Sequence, residues 1–317
     1  MHRTGLLLLL FLTVALASCH ATFHDTVTPP PDDSPVPVDK TAAALDKLPP
    51  ILIAPNDDPW GNISRETWDW LRAKAGNRVG WLCKLSHHYV DPDLDFQIDV
   101  NVMRAQLKRA ARQPITPVAF AFSLEGPYTP AIRNPHAPEH QRAVDAIRKA
   151  IAVGRTEMPD RPWAFRGMMP NGPRQLRHAD DWLAVNRAMR PVWQAGDYIY
   201  LNLYTWRPFS VDGQEDLYRR FVRFKVDLAR TVAPDKPIIA CVWHRHRDPP
   251  DGPYLKHAMS LDDWQRSLEI IRDAGITHVS WWGADPWMSD SREIKETPAQ
   301  LAAQHRAYAE IMLRVFQ

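Results

Sequence analysis

Glu125 ends the apolar, aromatic run Ala119-Phe-Ala-Phe-Ser-Leu-Glu125, and Gly126-Pro127 then turns the chain away. A strand that delivers a carboxyl group to the edge of a cleft leaves it partly desolvated, which raises its pKa and keeps it protonated near neutrality. A general acid that protonates a leaving glycosidic oxygen needs that state. A glutamate paired with an arginine at a rim is the alternative that the string itself leaves open. Other chemistry-bearing residues stand directly behind apolar runs: Arg166, Tyr204, His244, Trp282 and Asp285. Two histidine pairs, His87-His88 and His244-Arg-His246, also follow such runs. A metal site would need them to converge with Asp91 or Asp248. The simpler expectation is a set of exposed rim histidines, with no metal and no cofactor. Arg245 and Arg247 offer guanidinium forks to a sugar carboxylate, or else pair with Asp248 and Asp251. Ser123 lacks the Gly-x-Ser-x-Gly frame of a hydrolase nucleophile.

The elements that must position these residues are legible in the spacing. Runs at 51–54, 79–83, 118–122, 163–165, 198–203, 238–243 and 279–282 are short and almost continuously apolar. Strands buried on both faces have that composition. Amphipathic segments at 65–75, 102–112, 140–153, 180–195, 215–232, 260–274 and 297–316 separate or follow them. This alternation predicts parallel strands covered by helices. No glycine-rich phosphate loop follows a strand, which disfavours a dinucleotide-binding open sheet. Candidate residues stand behind many strands, as at the C-terminal face of a barrel. The expected fold is therefore a TIM-like (β/α) barrel of seven strands.

The amino terminus has a different character. Arg3, the apolar stretch 6–16 and the tetrapeptide Leu16-Ala-Ser-Cys19 form the layout of an export signal. It resembles a bacterial lipobox, in which the bond before the cysteine is cut and Cys19 is acylated. An ordinary signal peptide cleaved nearby is the alternative. The expected organisation is a signal over 1–18, a proline-rich disordered tether over 19–48 and a barrel domain over 49–317. No second apolar run approaches the roughly 20 residues of a membrane helix, so attachment to the cell envelope would be by the N-terminal lipid alone. A net charge of +2 without any block of like charge argues against nucleic acid as a partner. The 13 tryptophans, several at strand ends, suit a cleft in which indole rings stack on the C–H faces of sugars. Cys83 and Cys241 are too few for a disulfide framework and are expected to be small hydrophobes inside strands.

Five segments, in order, resemble the hyaluronidase family of glycoside hydrolases. The stretch from Pro117 to Glu125 is similar to that family's strand ending in Asp-x-Glu. Arg161-Pro-Trp-Ala-Phe-Arg-Gly-Met-Met-Pro170 resembles its Arg-Pro-x-x-x-Trp-Gly-Tyr-Tyr-x-x-Pro stretch. Tyr200-Leu-Asn-Leu-Tyr204 looks like its Tyr-Pro-Ser-x-Tyr strand. The stretch from Lys236 to Pro249 sits where the family has a strand ending in Thr-Arg-Pro. Leu261 to Gly283 resembles its last helix and Leu-Trp-Gly strand. The resemblance implies a barrel of seven strands and a retaining, endo-acting, substrate-assisted reaction on an N-acetylhexosamine-containing polysaccharide. Glu125 takes the acid's place, Tyr204 that of a tyrosine near the acetamido group, and Trp282 that of a pocket tryptophan. Ser123 occupies the place of the family's aspartate, and a neutral hydroxyl cannot stabilise an oxazolinium as a carboxylate does. Asp285 and Asp248 are the candidates to supply the missing charge. Arg166, Trp206, Trp243, His244 and Tyr128 complete the expected substrate-binding set. The other function the sequence allows is a non-catalytic glycan- or cell-wall-binding barrel.

Overall fold

Each of the seven apolar runs forms a strand in the computed structural model, which describes residues 48–54, 65–85, 90–91, 96–124, 128–168, 170, 172–249, 252–282 and 297–317. The barrel strands are β1 (Ile51–Ile53), β2 (Val79–Leu85), β5 (Ala119–Phe122), β6 (Trp163–Phe165), β7 (Ile199–Asn202), β8 (Ile238–Val242) and β9 (His278–Trp281). A two-stranded hairpin of β3 (Val90–Asp91) and β4 (Gln97–Ile98) is an addition that the periodicity did not indicate. The seven strands run parallel in the order β6-β5-β2-β1-β9-β8-β7. The two outer strands meet through a parallel bridge between Arg166 and Tyr200. Below that bridge the Asp197 N–H donates to the Trp163 carbonyl at 2.7 Å. The Trp163 N–H in turn donates to the Asp197 carboxylate at 2.8 Å. The sheet is thereby a nearly closed ring, the TIM-like barrel expected. The signal and all of the tether except Leu48 lie outside the described residues.

Helices cover the ring: α1 (Arg65–Ala75), α2 (Val100–Ala111), α3 (Thr129–Arg133), α4 (His140–Glu157), α5 (Ala179–Ala188), α6 (Arg190–Ala195), α7 (Gln214–Val232), α8 (Leu261–Asp273) and α9 (Pro298–Val315). The single helix expected over 180–195 is two. Pro191 has no N–H to give to the preceding turn, and its ring crowds the carbonyl four residues back, so the axis breaks at Met189. Ser260 caps α8 through the Asp263 N–H at 3.0 Å. Thr297 and Gln300 form a reciprocal capping box on α9. Gly275, at φ +82°, makes the left-handed turn from α8 into β9.

Two-residue alternation divides the core into two shells. Outward residues such as Ile53, Trp81, Phe120, Trp163, Leu201 and Trp281 pack against the helices. Inward residues fill the ring, and their sizes are complementary. Ala119, Ala121 and Ala164 line one wall, and Tyr198, Tyr200 and Tyr204 project from the other. The Tyr198 hydroxyl crosses to the Phe120 carbonyl at 2.7 Å, and the Tyr200 hydroxyl meets Ser280 Oγ at 2.8 Å. Each such bond contributes about 1 kcal/mol net, and leaving a buried hydroxyl unmatched would cost more. Bulk at Ala121 would therefore collide with the tyrosines.

Lys225 is the exception in the outer shell. It sits on the apolar face of α7 with no exposed surface. Its Nζ donates to the carbonyl oxygens of Met168 and, at 2.8 Å, Pro170. The amine thus holds the segment that follows β6 against α7. Burial pushes its pKa down to about 7. Below pH 7 the amine is protonated in both folded and unfolded chains, and the burial cost is present in full. Between pH 7 and the ordinary value of 10.5 the folded protein holds it neutral while the unfolded chain still protonates it, so stability rises with pH across that window. Urea melts at pH 6.5, 8 and 9.5 should show a gain of about 1–4 kcal/mol in the native protein that Lys225→Met lacks. Parallel pH dependence in the two proteins would show that the ammonium is not the source.

Candidate functional site

The C-terminal ends of four consecutive strands in the ring bring Arg166, Tyr204, Trp243 and Trp282 together. Each follows the alternation of its own strand. Arg166 points inward two residues after Ala164, Trp243 two after Cys241 and Trp282 two after Ser280. Tyr204 and Trp282 stack with ring centroids 5.8 Å apart and planes 29° apart. Trp243 lies across both, 5.0 Å from Trp282 and 6.1 Å from Tyr204. The result is a platform at the barrel mouth in which Trp282 is partly exposed and rests on the buried rings of Tyr204 and Trp243.

Cations frame that platform. The Arg166 guanidinium is buried and donates from Nε to Asn202 Oδ1 at 2.7 Å and from Nη2 to the Tyr204 hydroxyl at 2.6 Å. It also lies 5.6 Å from the Trp282 ring. Lys84, on the inward face of β2, sits 5.8 Å from the same ring. Arg247 lies 5.4 Å from the Tyr204 ring. Arg133, at the end of α3, has its pKa lowered by partial burial and by the nearby charge of Arg247. Burial pushes the Tyr204 phenol well above its usual range, against the opposing pull of Arg166. Tyr204 is thus a neutral, buried hydroxyl that accepts from Arg166 and lies 3.4 Å from Cys241 Sγ. An aromatic floor with fixed donors around it can stack a sugar ring and hold its oxygens or an attached oxyanion.

Ser123 faces the barrel interior, two residues after the inward Ala121, and is almost wholly buried. Glu125, Asp285 and Cys19 lie outside the described residues, as do His87 and His88. Trp206 stands half-buried on the segment after β7, against the backbone of Gly172. A Cβ at Gly172 would fall 1.8 Å from the indole, so only glycine admits the ring there.

The structure corrects several expectations at the mouth. His244 follows the inward Trp243 and therefore turns outward. It is fully buried between Trp281, whose Nε1 donates to its Nδ1 at 3.0 Å, and the rings of His305 and Tyr308. It does not join the aromatic platform. His246 is likewise buried instead of exposed, and burial lowers its pKa to about 4. Tyr128 belongs to the outer shell, edge-on to Phe96 at 5.3 Å, and is not on the platform. Asp248, one candidate for the missing charge, is clamped by Arg207 Nε at 2.8 Å and by the Tyr254 N–H at 3.3 Å. Arg245 donates to the Lys256 carbonyl at 3.0 Å, and Arg247 turns toward Tyr204. Among the described residues no group of three or more potential metal ligands converges. Cys83 and Cys241 are buried within strands and neither is in a disulfide.

Lys84 and Asn202 escaped the sequence analysis although a signal was present. Both are polar residues inside otherwise apolar runs, at inward positions of the two-residue period. Strand interiors of that kind admit a polar side chain only where something satisfies it.

No family profile matches the sequence, and no curated protein does. Bee venom hyaluronidase, solved in complex with a hyaluronic acid tetramer, matches at 14% identity and a TM-score of 0.54, covering 84% of this chain and 100% of that one. A monoclinic crystal form of bee venom hyaluronidase matches at 16% identity and a TM-score of 0.49, covering 69% and 78%. A glycoside hydrolase family 5 enzyme from Prevotella bryantii, bound to a xyloglucan oligosaccharide, matches at 9% identity and 0.45, covering 87% and 98%. At these identities the likeness is one of fold. The chain has a TIM-like (β/α) barrel.

Tyr198, Tyr200, Tyr204 and Tyr218 all have raised pKa values, in each case chiefly from burial. Alkaline absorbance titration should leave at least these four of the 8 tyrosines un-ionised until the protein unfolds. Stability should fall as pH rises through 10, where the unfolded chain releases those protons and the folded one does not. Complete ionisation of the native protein near pH 10 would refute the placement of these hydroxyls.

Proposed function

We propose that this chain is an exported, lipid-anchored protein of the cell envelope that cleaves an N-acetylhexosamine-containing polysaccharide at the barrel mouth. The observation that carries the reading is the platform of Tyr204, Trp243 and Trp282 with Arg166 fixed beside it. Its likeness in fold to bee venom hyaluronidase, which was solved with a hyaluronic acid tetramer, agrees with the family that five sequence segments resemble. Lys84, Arg133, Arg166 and Arg247 favour a glycan that carries acidic groups.

Glu125 stands two positions beyond the inward Ser123 and is the proton donor in this reading. It protonates the glycosidic oxygen as the bond to the anomeric carbon breaks. The substrate's own acetamido oxygen attacks that carbon and forms an oxazolinium. Water then opens the ring and returns a proton to Glu125. Tyr204 donates a hydrogen bond near the acetamido group, and Trp282 and Trp243 receive the sugar's apolar face. Trp206 extends the stacking surface. Asp285 is the remaining candidate for the charge that Ser123 does not provide.

One observation favours a second reading, a barrel that binds glycans without cutting them. Ser123 is neutral, and Asp248 is committed to Arg207. Glu125→Gln is expected to lower the release of reducing ends by about 100-fold or more while leaving binding within a few-fold, because it removes a transferred proton and little ground-state contact. Trp282→Ala should weaken binding about 10-fold, the equivalent of about 1.4 kcal/mol, read by tryptophan fluorescence. Undiminished turnover in Glu125→Gln would reject the enzyme. Binding by the native protein with no new reducing ends, across N-acetylhexosamine polymers, would favour the second reading. Anchoring is tested separately: Cys19→Ala should shift the protein from the detergent to the aqueous phase on Triton X-114 partition, and an unchanged partition would reject acylation.

A further inference from the structure

Helices α7 and α8 enclose a groove of about 480 Å³ on the outer wall of the barrel. Val222, Val226 and Ile270 lie beneath it, almost wholly buried, and Ala274 is partly exposed at its edge. Its charged lining consists of Arg219, Arg220, Arg223 and Arg230, with Asp227 and Asp273. Arg219 is held by Glu215 at 2.7 Å, and Asp273 by Arg272 at 2.9 Å. Arg220, Arg223 and Arg230 are exposed and form no ion pair or side-chain hydrogen bond with other described residues. Guanidinium groups therefore outnumber the one unengaged carboxylate, that of Asp227. Arg223 and Arg230 lie two turns apart on one stripe of α7, about 10 Å along its axis.

This arrangement has a chemical preference. Guanidinium forks bind carboxylates and sulfates in bidentate fashion. Between them the buried aliphatic side chains set no competing charge against an anion. No aromatic ring lines the groove to stack a nucleic-acid base. A concave channel between two helices suits a narrow chain, whereas a bilayer would touch only the helix ridges. We propose that this groove is a second binding site for a linear acidic polysaccharide, separate from the aromatic platform. The proposal does not depend on whether the mouth catalyses a reaction.

Affinity electrophoresis of the full chain through gels containing polygalacturonate, with hydroxyethylcellulose as the neutral control, tests it. The native protein should be retarded by polygalacturonate alone. The combined Arg220→Glu, Arg223→Glu and Arg230→Glu variant should lose at least 10-fold in affinity, and the corresponding triple glutamine variant should lose less. Added salt should weaken the native interaction more than the residual one, because fewer charge contacts remain in the variant. Trp282→Ala, which alters the mouth, should keep more of the native retardation than either groove variant. Retardation of both groove variants equal to that of the native protein would overturn the proposal. So would loss of retardation in Trp282→Ala alone, which would assign the binding to the mouth. Binding to anionic vesicles or duplex DNA, with polygalacturonate ignored, would assign the groove to another partner. If the glutamate variant fails to fold, as judged by circular dichroism, the glutamine variant decides.

Discussion

Arg166 is the residue on which both the ring and the mouth depend. Its backbone makes the bridge to Tyr200 that joins the first and last strands of the sheet order. Its side chain enters the interior and is satisfied by Asn202 and Tyr204 from the strand across that seam. A buried guanidinium without such partners would be strongly destabilising. Closure and site assembly are therefore one event. If β6 and β7 part, the guanidinium loses its acceptors and Tyr204 its fixed position under Trp282.

The same economy governs the rest of the interior. Small residues on β5 and β6 leave room, and tyrosines on β7 fill it, so the lower ring is occupied by side chains with their hydroxyls satisfied. Only above that plug does the lining change to large rings and cations. Lys225 reinforces the arrangement from outside by holding the Met168 and Pro170 carbonyls, which belong to the segment leading out of Arg166. Gly172 then admits the Trp206 indole. From strand end to tryptophan, this segment is held at three points by side chains or by close backbone approach.

The seven strands and the longer covering helices, though not the five-residue α3, were legible because the period of each segment is clear and the apolar runs are short. Pro191 could have announced the broken helix, since its missing N–H is a local property of the residue. The hairpin at Val90–Asp91 and Gln97–Ile98 is too short for any period to express. At the mouth, Arg166, Tyr204, Trp243 and Trp282 could be gathered because they stand at strand ends. His244 stands there as well, yet faces the helices. The difference is parity: a residue's side of the sheet depends on its register with inward neighbours such as Ile239 and Cys241, and adjacent residues take opposite sides. The clamp of Arg207 on Asp248 joins residues 41 apart and leaves no local trace.

Cys83 and Cys241 remain as thiols, in the outer shell and the ring interior respectively. The chain holds 3 cysteines in all, and the third is Cys19, ahead of the proline-rich stretch. No covalent staple secures the ring, whose cohesion rests on the fit of its side chains and on the seam at Arg166. The barrel can accordingly reach its native form without an oxidising catalyst, and a reducing compartment offers no obstacle to its assembly.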